Sequence, residues 1–101
     1  MTAYILSPAA VSDLDSIWDY SADSWGIEQA NRYAEEIKSA CEALADGSLK
    51  GRSIDEVRRT YFKLATGSHF IVYRITGDMI DVIRILHQRM DLPSQLPHRK
   101  N

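Results

Sequence analysis

Seven side chains with chemistry to offer fall in one stretch: Arg58, Arg59, Lys63, Arg74, Arg84, His87 and Arg89. Clustered cations beside a histidine can hold a phosphodiester, stabilise charge developing on its oxygens and shuttle a proton. A metal-independent ribonuclease requires those capacities. The same cluster can dock an acidic protein groove or peptide. A third reading is a solvated sheet face whose arginines pair with Asp81, Asp55 or Glu56 and contribute little else. Arg84 fits that third reading least. It interrupts Val82-Ile83-Arg84-Ile85-Leu86, where an unpaired charge on a covered face is costly.

Other site chemistries find less support. No serine sits in the glycine pattern of a nucleophile elbow. Cys41 falls on the apolar stripe of a helix and reads as core rather than nucleophile. His69, His87 and His98 have no spacing that resembles a zinc site. Neither a metal nor a cofactor is expected.

The elements that must position the cations lie between Val57 and Asp91. Three β-prone runs, 57–64, 69–76 and 79–86, are separated by short glycine-containing links, which signals consecutive hairpins. The last two runs are apolar on both faces apart from Arg74, Asp81 and Arg84. Such strands are covered on both sides, or by helices on one side and a partner on the other.

Upstream, Tyr4-Ile5-Leu6 reads as a short edge strand. Ser7 is a good N-cap, and Pro8 suits the first helical position, where its missing N–H costs nothing. A helix over 8–24 follows, with Val11, Leu14, Ile17, Trp18 and Ser21 on one face. Gly26 breaks the pattern. A second helix over 27–45 carries the stripe Ile27, Ala30, Tyr33, Ala34, Ile37, Cys41 and Leu44. So short a link folds the two helices into an antiparallel hairpin. Trp18 reads as core. Trp25, at the hairpin tip, reads as a packed hinge residue, with a partner anchor as the alternative. Asp46-Gly47-Ser48 stops the second helix, and 48–56 reads as a polar crossover loop. Leu92-Pro93 closes a single domain over 1–93, leaving 94–101 as a polar tail.

A chain of 101 residues has room for one core. Its 45% hydrophobic and 26% charged content is ordinary for a soluble globular protein. No apolar run is long enough to span a bilayer and no signal segment opens the chain, so no membrane partner is expected. A single cysteine excludes an internal disulfide, which fits a reducing cytoplasm. The net charge of −2 hides an asymmetry: residues 1–47 balance to −7 and residues 48–101 to +5. That division suggests a molecule with an acidic and a basic pole.

Taken in order, several short pieces resemble the RelE/ParE toxin superfamily, and its ParE branch in particular. They are Ser7-Pro8-Ala9-Ala10 with Asp13-Leu14, Trp25-Gly26, Gly51-Arg52, Glu56-Val57-Arg58, Tyr61-Phe62-Lys63-Leu64, Gly67-Ser68-His69, Ile71-Val72-Tyr73-Arg74 and Ile85-Leu86-His87-Gln88-Arg89-Met90-Asp91. The resemblance covers nearly the whole chain except its last residues. It implies an α+β fold in the order β-α-α-β-β-β, a helical hairpin packed on a small antiparallel sheet; the sequence pattern gives the same order.

The resemblance further implies the toxin of a type II toxin–antitoxin pair, neutralised by a ParD-like antitoxin and meeting operator DNA only through it. ParE-type members act on DNA gyrase, whereas RelE-type members cleave mRNA in the ribosome. RelE-like ribonucleases resemble one another in a basic residue where this chain has Phe70. Many also carry Asp-hydrophobic-Tyr where it has Asp91-Leu92-Pro93. The resemblance therefore favours a non-nuclease gyrase inhibitor, with target contacts at Arg58, Arg59, Arg84, His87, Gln88 and Arg89. A ribonuclease using Lys63, His87 and Arg89 is the alternative, and an inactive relic serving as co-repressor is a third. Antitoxin contacts are expected at Trp18, Trp25, Arg58, Arg74 and Arg84, with a hydrophobic groove and an open strand edge to receive it.

Overall fold

The computed structural model describes residues 3–96. Its elements are β1 (Ala3–Leu6), α1 (Pro8–Trp25), α2 (Ile27–Asp46), β2 (Arg52–Ser53), β3 (Tyr61–Thr66), β4 (His69–Thr76), β5 (Met79–His87) and a short α3 (Leu92–Gln95). The expected α+β class with a helical hairpin on a sheet holds. The five strands form one sheet in the order β1-β5-β4-β3-β2.

The sheet is mixed rather than wholly antiparallel, because β1 runs parallel to β5, with Ala3 opposite Met79 and Leu6 opposite Val82. Parallel pairing requires a long connection between the two strands, and the helical hairpin with β2–β4 supplies it. The corner between β1 and α1 is pinned to β5. Ser7 N–H donates to the Val82 carbonyl at 3.0 Å, and Ser7 Oγ donates to that of Ile83 at 2.7 Å. The same hydroxyl oxygen accepts from Ala10 N–H, so Ser7 caps α1 as its residue type predicts.

The run expected as a strand over 57–64 begins only at Tyr61. Residues 54–60 instead fold into a compact turn. Val57 and Arg58 both donate to the Ile54 carbonyl, at 2.8 and 3.0 Å. Thr60 takes a left-handed φ of 69°, rare for a β-branched residue, while its N–H donates to Asp55 Oδ1 at 2.9 Å. Within the expected crossover loop, Arg52 and Ser53 pair with Lys63 and Phe62 as an added edge strand.

Two apolar layers sandwich the sheet. On the helical side, Ile17, Ile37, Cys41 and Leu44 meet Ile71, Tyr73, Val82 and Ile85. On the other, Ile54, Leu92 and Leu96 cover Tyr61, Val72 and Leu86. The strands are thus covered on both sides by their own chain. The stretch read as a tail begins with structure: Leu96 is only 3% exposed, four residues after Leu92 and so above it on one helical face. Residues 97–101, including His98, lie outside the described residues. Two apolar residues assigned to the helical stripes are exposed instead, Val11 at 45% and Ile27 at 63%.

A bulge in β5 explains the awkward arginine. Val72 faces Arg84 and Tyr73 faces Val82, which leaves Ile83 as an extra residue. An extra residue resets the alternation of faces, so Val82 and Ile85 both reach the helices. Arg84 is thereby directed to the edge of β5, where α1 supplies Asp13.

Candidate functional site

Cross-strand partners share a face of a sheet, and that rule sorts the cations. Lys63 pairs with Val72, on the face turned away from the hairpin. Its Nζ lies 4.3 Å above the ring of Phe70. His87 pairs with His69, whose ring meets Tyr33 of α2, on the helical face. Lys63 and His87 are therefore separated by the thickness of the sheet. Arg89 lies beyond the end of β5, its side chain exposed and its N–H donating to His87 Nδ1 at 3.1 Å. The proposed nuclease trio is not brought together.

Several expected contact residues are occupied within the fold. Arg84 makes a two-pronged pair with Asp13, Nε to Oδ2 at 2.7 Å and Nη2 to Oδ1 at 2.8 Å, and donates through Nη1 to the Gln95 carbonyl at 3.0 Å. Arg58 donates to the Val57 carbonyl at 2.8 Å and reaches the carbonyls of Pro93 and Leu96 at 3.4 Å. It thus ties the 54–60 turn to α3. Gln88 Nε2 donates to the Gly67 carbonyl at 2.9 Å, clasping the end of β5 to the β3–β4 turn. Trp18 is half-buried, with Nε1 donating to Asn31 Oδ1 at 2.8 Å.

The exposed cations are arranged differently from the expected cluster. Arg59 is exposed. Arg74 is half-exposed and sits 3.5 Å from Asp81, one of the partners the third reading named for it. Arg52 pairs with Lys63, and Arg74 with Tyr61, so Arg52, Lys63 and Arg74 share the outward face. Arg52 was missed as a contact because it read as loop; only the β2–β3 register places it beside Lys63.

The helical face holds a feature that sequence spacing concealed. A cleft of about 630 Å³ opens between the hairpin and the β3–β4 turn, lined by Ile17, Tyr20, Ser21, Trp25, Tyr33, His69, His87 and Met90 among others. The Tyr33 hydroxyl lies 2.7 Å from His69 Nδ1 and accepts from Ser68 N–H at 2.9 Å. Gly67 allows this approach, since a Cβ there would stand 2.5 Å from the Tyr33 ring. The rings of His69 and His87 meet edge-on, 5.2 Å between centroids. No motif spacing joins them, but hairpin register sets them opposite each other. Trp25 is not a packed hinge residue: it is 73% exposed at the mouth of this cleft. Cys41 is buried core, and burial pushes its thiol up to about 11, far from a reactive thiolate.

Burial lowers the pKa of His69 below its ordinary value, and the neighbouring His87 adds to the effect. The unfolded chain takes up its proton near the usual value of about 6.5. The neutral imidazole therefore contributes stability above that pH. The contribution is lost progressively as pH falls through about 6.5 toward the lower folded value. Urea midpoints for the natural chain and His69→Gln, measured near pH 7.5 and pH 5, are expected to converge in acid. A constant difference between them would contradict this sign.

These features define a small α+β domain, a two-helix hairpin on a mixed five-stranded sheet, with a cationic outward face and an aromatic cleft. The fold matches that of a solved chain titled "Chromosomal ParDE TA system from P. aeruginosa", with a TM-score of 0.72 at 23% identity over 86% of this chain and 95% of that one. The chain belongs to the ParE toxin family: the family model described as "ParE toxin of type II toxin-antitoxin system, parDE" matches residues 4–92. It is 48% identical to Toxin ParE1 of Mycobacterium tuberculosis over 92% of this chain and 96% of that protein. Toxin ParE1 of Caulobacter vibrioides is 41% identical over 95% and 99%, and Toxin ParE of Escherichia coli 34% identical over 98% and 97%. Membership implies an antitoxin partner. No helix among the described residues is long and apolar enough to cross a membrane.

Proposed function

We propose that this toxin acts in the cytoplasm by binding and inhibiting DNA gyrase, and that a ParD-like antitoxin neutralises it. The observation that carries a binding rather than a cleaving role is the separation of Lys63 from His87 by the sheet. A base and a phosphate-holding cation must converge on one scissile bond, and these two do not. Target contacts fall to Arg59, Arg89 and the His87 end of β5, since Arg58, Arg84 and Gln88 are engaged within the fold.

The antitoxin, acidic in this reading, meets Arg52, Lys63 and Arg74 on the outward face. Its apolar side chains enter a groove of about 460 Å³ lined by Leu44, Leu49, Phe62, Tyr73, Ile75 and Ile80, in the manner of a helix or extended segment seated in a groove. Operator DNA is met only through the antitoxin.

A supercoiling assay with purified gyrase and toxin tests the target. Dose-dependent loss of supercoiling, with trapped cleaved DNA, is expected. An inert gyrase reaction at every toxin concentration, together with codon-phased cuts in cellular mRNA after brief induction, would replace this reading with ribosome-dependent cleavage. Harmless expression without antitoxin would leave a partner-only relic.

A further inference from the structure

Apart from His87, the residues that line the aromatic cleft are given no partner by the functions above. Tyr20 and Trp25 stand 71% and 73% exposed at its mouth, and Met90 is exposed on the facing lip. Large rings held in water at the end of a rigid hairpin are typical anchors for a partner. The polar surroundings select the kind of partner. No lysine or arginine is among the described residues that line the cleft. The groups they present are neutral hydroxyls, the Gln29 amide and the imidazoles of His69 and His87. The helices behind them belong to the acidic half of the chain, where residues 1–47 balance to −7. Asp23 falls between Tyr20 and Trp25 on α1, and Glu36 lies one turn beyond Tyr33 on α2.

A phosphate or an acidic peptide entering here would find cations only at the rim, Arg32, whose Nη1 is held by Gln29 Oε1 at 3.1 Å, and Arg89 beyond His87, against two helices whose net charge has its own sign. A cation would meet the negative faces of indole and phenol and be drawn in by the acidic helices. We propose that this cleft docks a lysine or arginine side chain of a basic partner protein, held over Trp25 and Tyr20. The volume of about 630 Å³ accommodates the side chain with its flanking backbone. The groove given to the antitoxin lies at the Leu44 end of α2 and this cleft at its Gln29–Tyr33 end, so an acidic and a basic partner can be held together. This inference stands apart from the identity of the toxin's target.

The test is an NMR titration of the full ¹⁵N-labelled chain with a capped Gly-Arg-Gly-Arg-Gly peptide, its lysine and glutamate counterparts, and adenosine monophosphate. Shifts centred on the Trp25 indole, Tyr20 and Ser68 are expected with the two cationic peptides, weakening as salt is added. Trp25→Ala is expected to reduce affinity roughly tenfold, with an unchanged melting temperature because the ring is exposed. Tyr20→Ala and Asp23→Asn should each reduce it less. Equal binding of the glutamate peptide, tighter binding of adenosine monophosphate, unaltered affinity in both aromatic variants, or no shifts at millimolar peptide would each overturn the proposal.

Discussion

Arg84→Ala is expected to lower unfolding free energy by about 3 kcal/mol. The guanidinium meets both carboxylate oxygens of Asp13 at 2.7 and 2.8 Å, and the two side chains are 24% and 14% exposed. Removing Arg84 leaves Asp13, among the described residues, with the Ile85 N–H alone, at 2.9 Å. The Gln95 carbonyl loses its donor as well, so α3 is loosened from the sheet. Asp13→Ala is expected to cost a similar amount, for a different reason. It strands the Arg84 charge and opens the Ile85 N–H at the edge of β5, just past the point where β1 stops pairing at Val82.

Arg84→Lys keeps the charge but loses the two-pronged geometry, and should recover only part of the stability. Replacing both partners, as in Asp13→Leu with Arg84→Met, removes the unpaired charge and should cost less than the two single changes summed. Urea denaturation of the four variants checks this. A loss below about 0.5 kcal/mol in Arg84→Ala would place the pair among ordinary surface ion pairs. It follows that weakened toxicity or antitoxin binding in an Arg84 variant must be separated from weakened folding.

Gly51→Ala is expected to destabilise the chain by about 2–3 kcal/mol. Backbone conformation does not demand glycine there; space does. A Cβ at Gly51 would stand 2.5 Å from the Lys63 carbonyl oxygen and 2.8 Å from the Tyr73 hydroxyl. The first neighbour is backbone in β3 and cannot rotate away. The second already accepts from Gly51 N–H at 2.8 Å, so relief of the clash removes a hydrogen bond from a buried tyrosine. The expected structural consequence is detachment of β2 from β3, which would also move Arg52 away from Lys63. Circular dichroism melts report the stability loss, and amide exchange at Arg52 and Ile54, whose N–H groups face β3, reports the detachment. Native-like protection of both amides in the variant would refute the steric account.

Much of the architecture was legible because it rests on local signals. Ser7-Pro8 marks a helix start through the capping hydroxyl and the absent N–H. The hairpin follows from two helical stripes joined at one residue, and β4 and β5 from β-prone runs around Gly77-Asp78. The turn over 54–60 was not legible. Val57 and Arg58 have the residue types of a strand start, and the competing hydrogen bonds accepted by Asp55 and the Ile54 carbonyl exist only once the turn has closed. The buried role of Leu96 had a local signal in its spacing from Leu92, masked by polar neighbours.

The site was less legible than the fold. The sequence by itself determined which residues could hold charge, that the two halves of the chain oppose each other in sign, and that the pieces resemble ParE. Tertiary structure alone decided which of those residues act together. Strand register put Lys63 and His87 on opposite faces and joined His69 to His87 across β4 and β5. One extra residue in β5 turned Arg84 from a free cation into the partner of Asp13, 71 residues away. The physical reason is that side-chain direction alternates at every strand residue and shifts at each bulge. Proximity between distant residues is therefore set by pairing between strands, which no local pattern of residue types encodes.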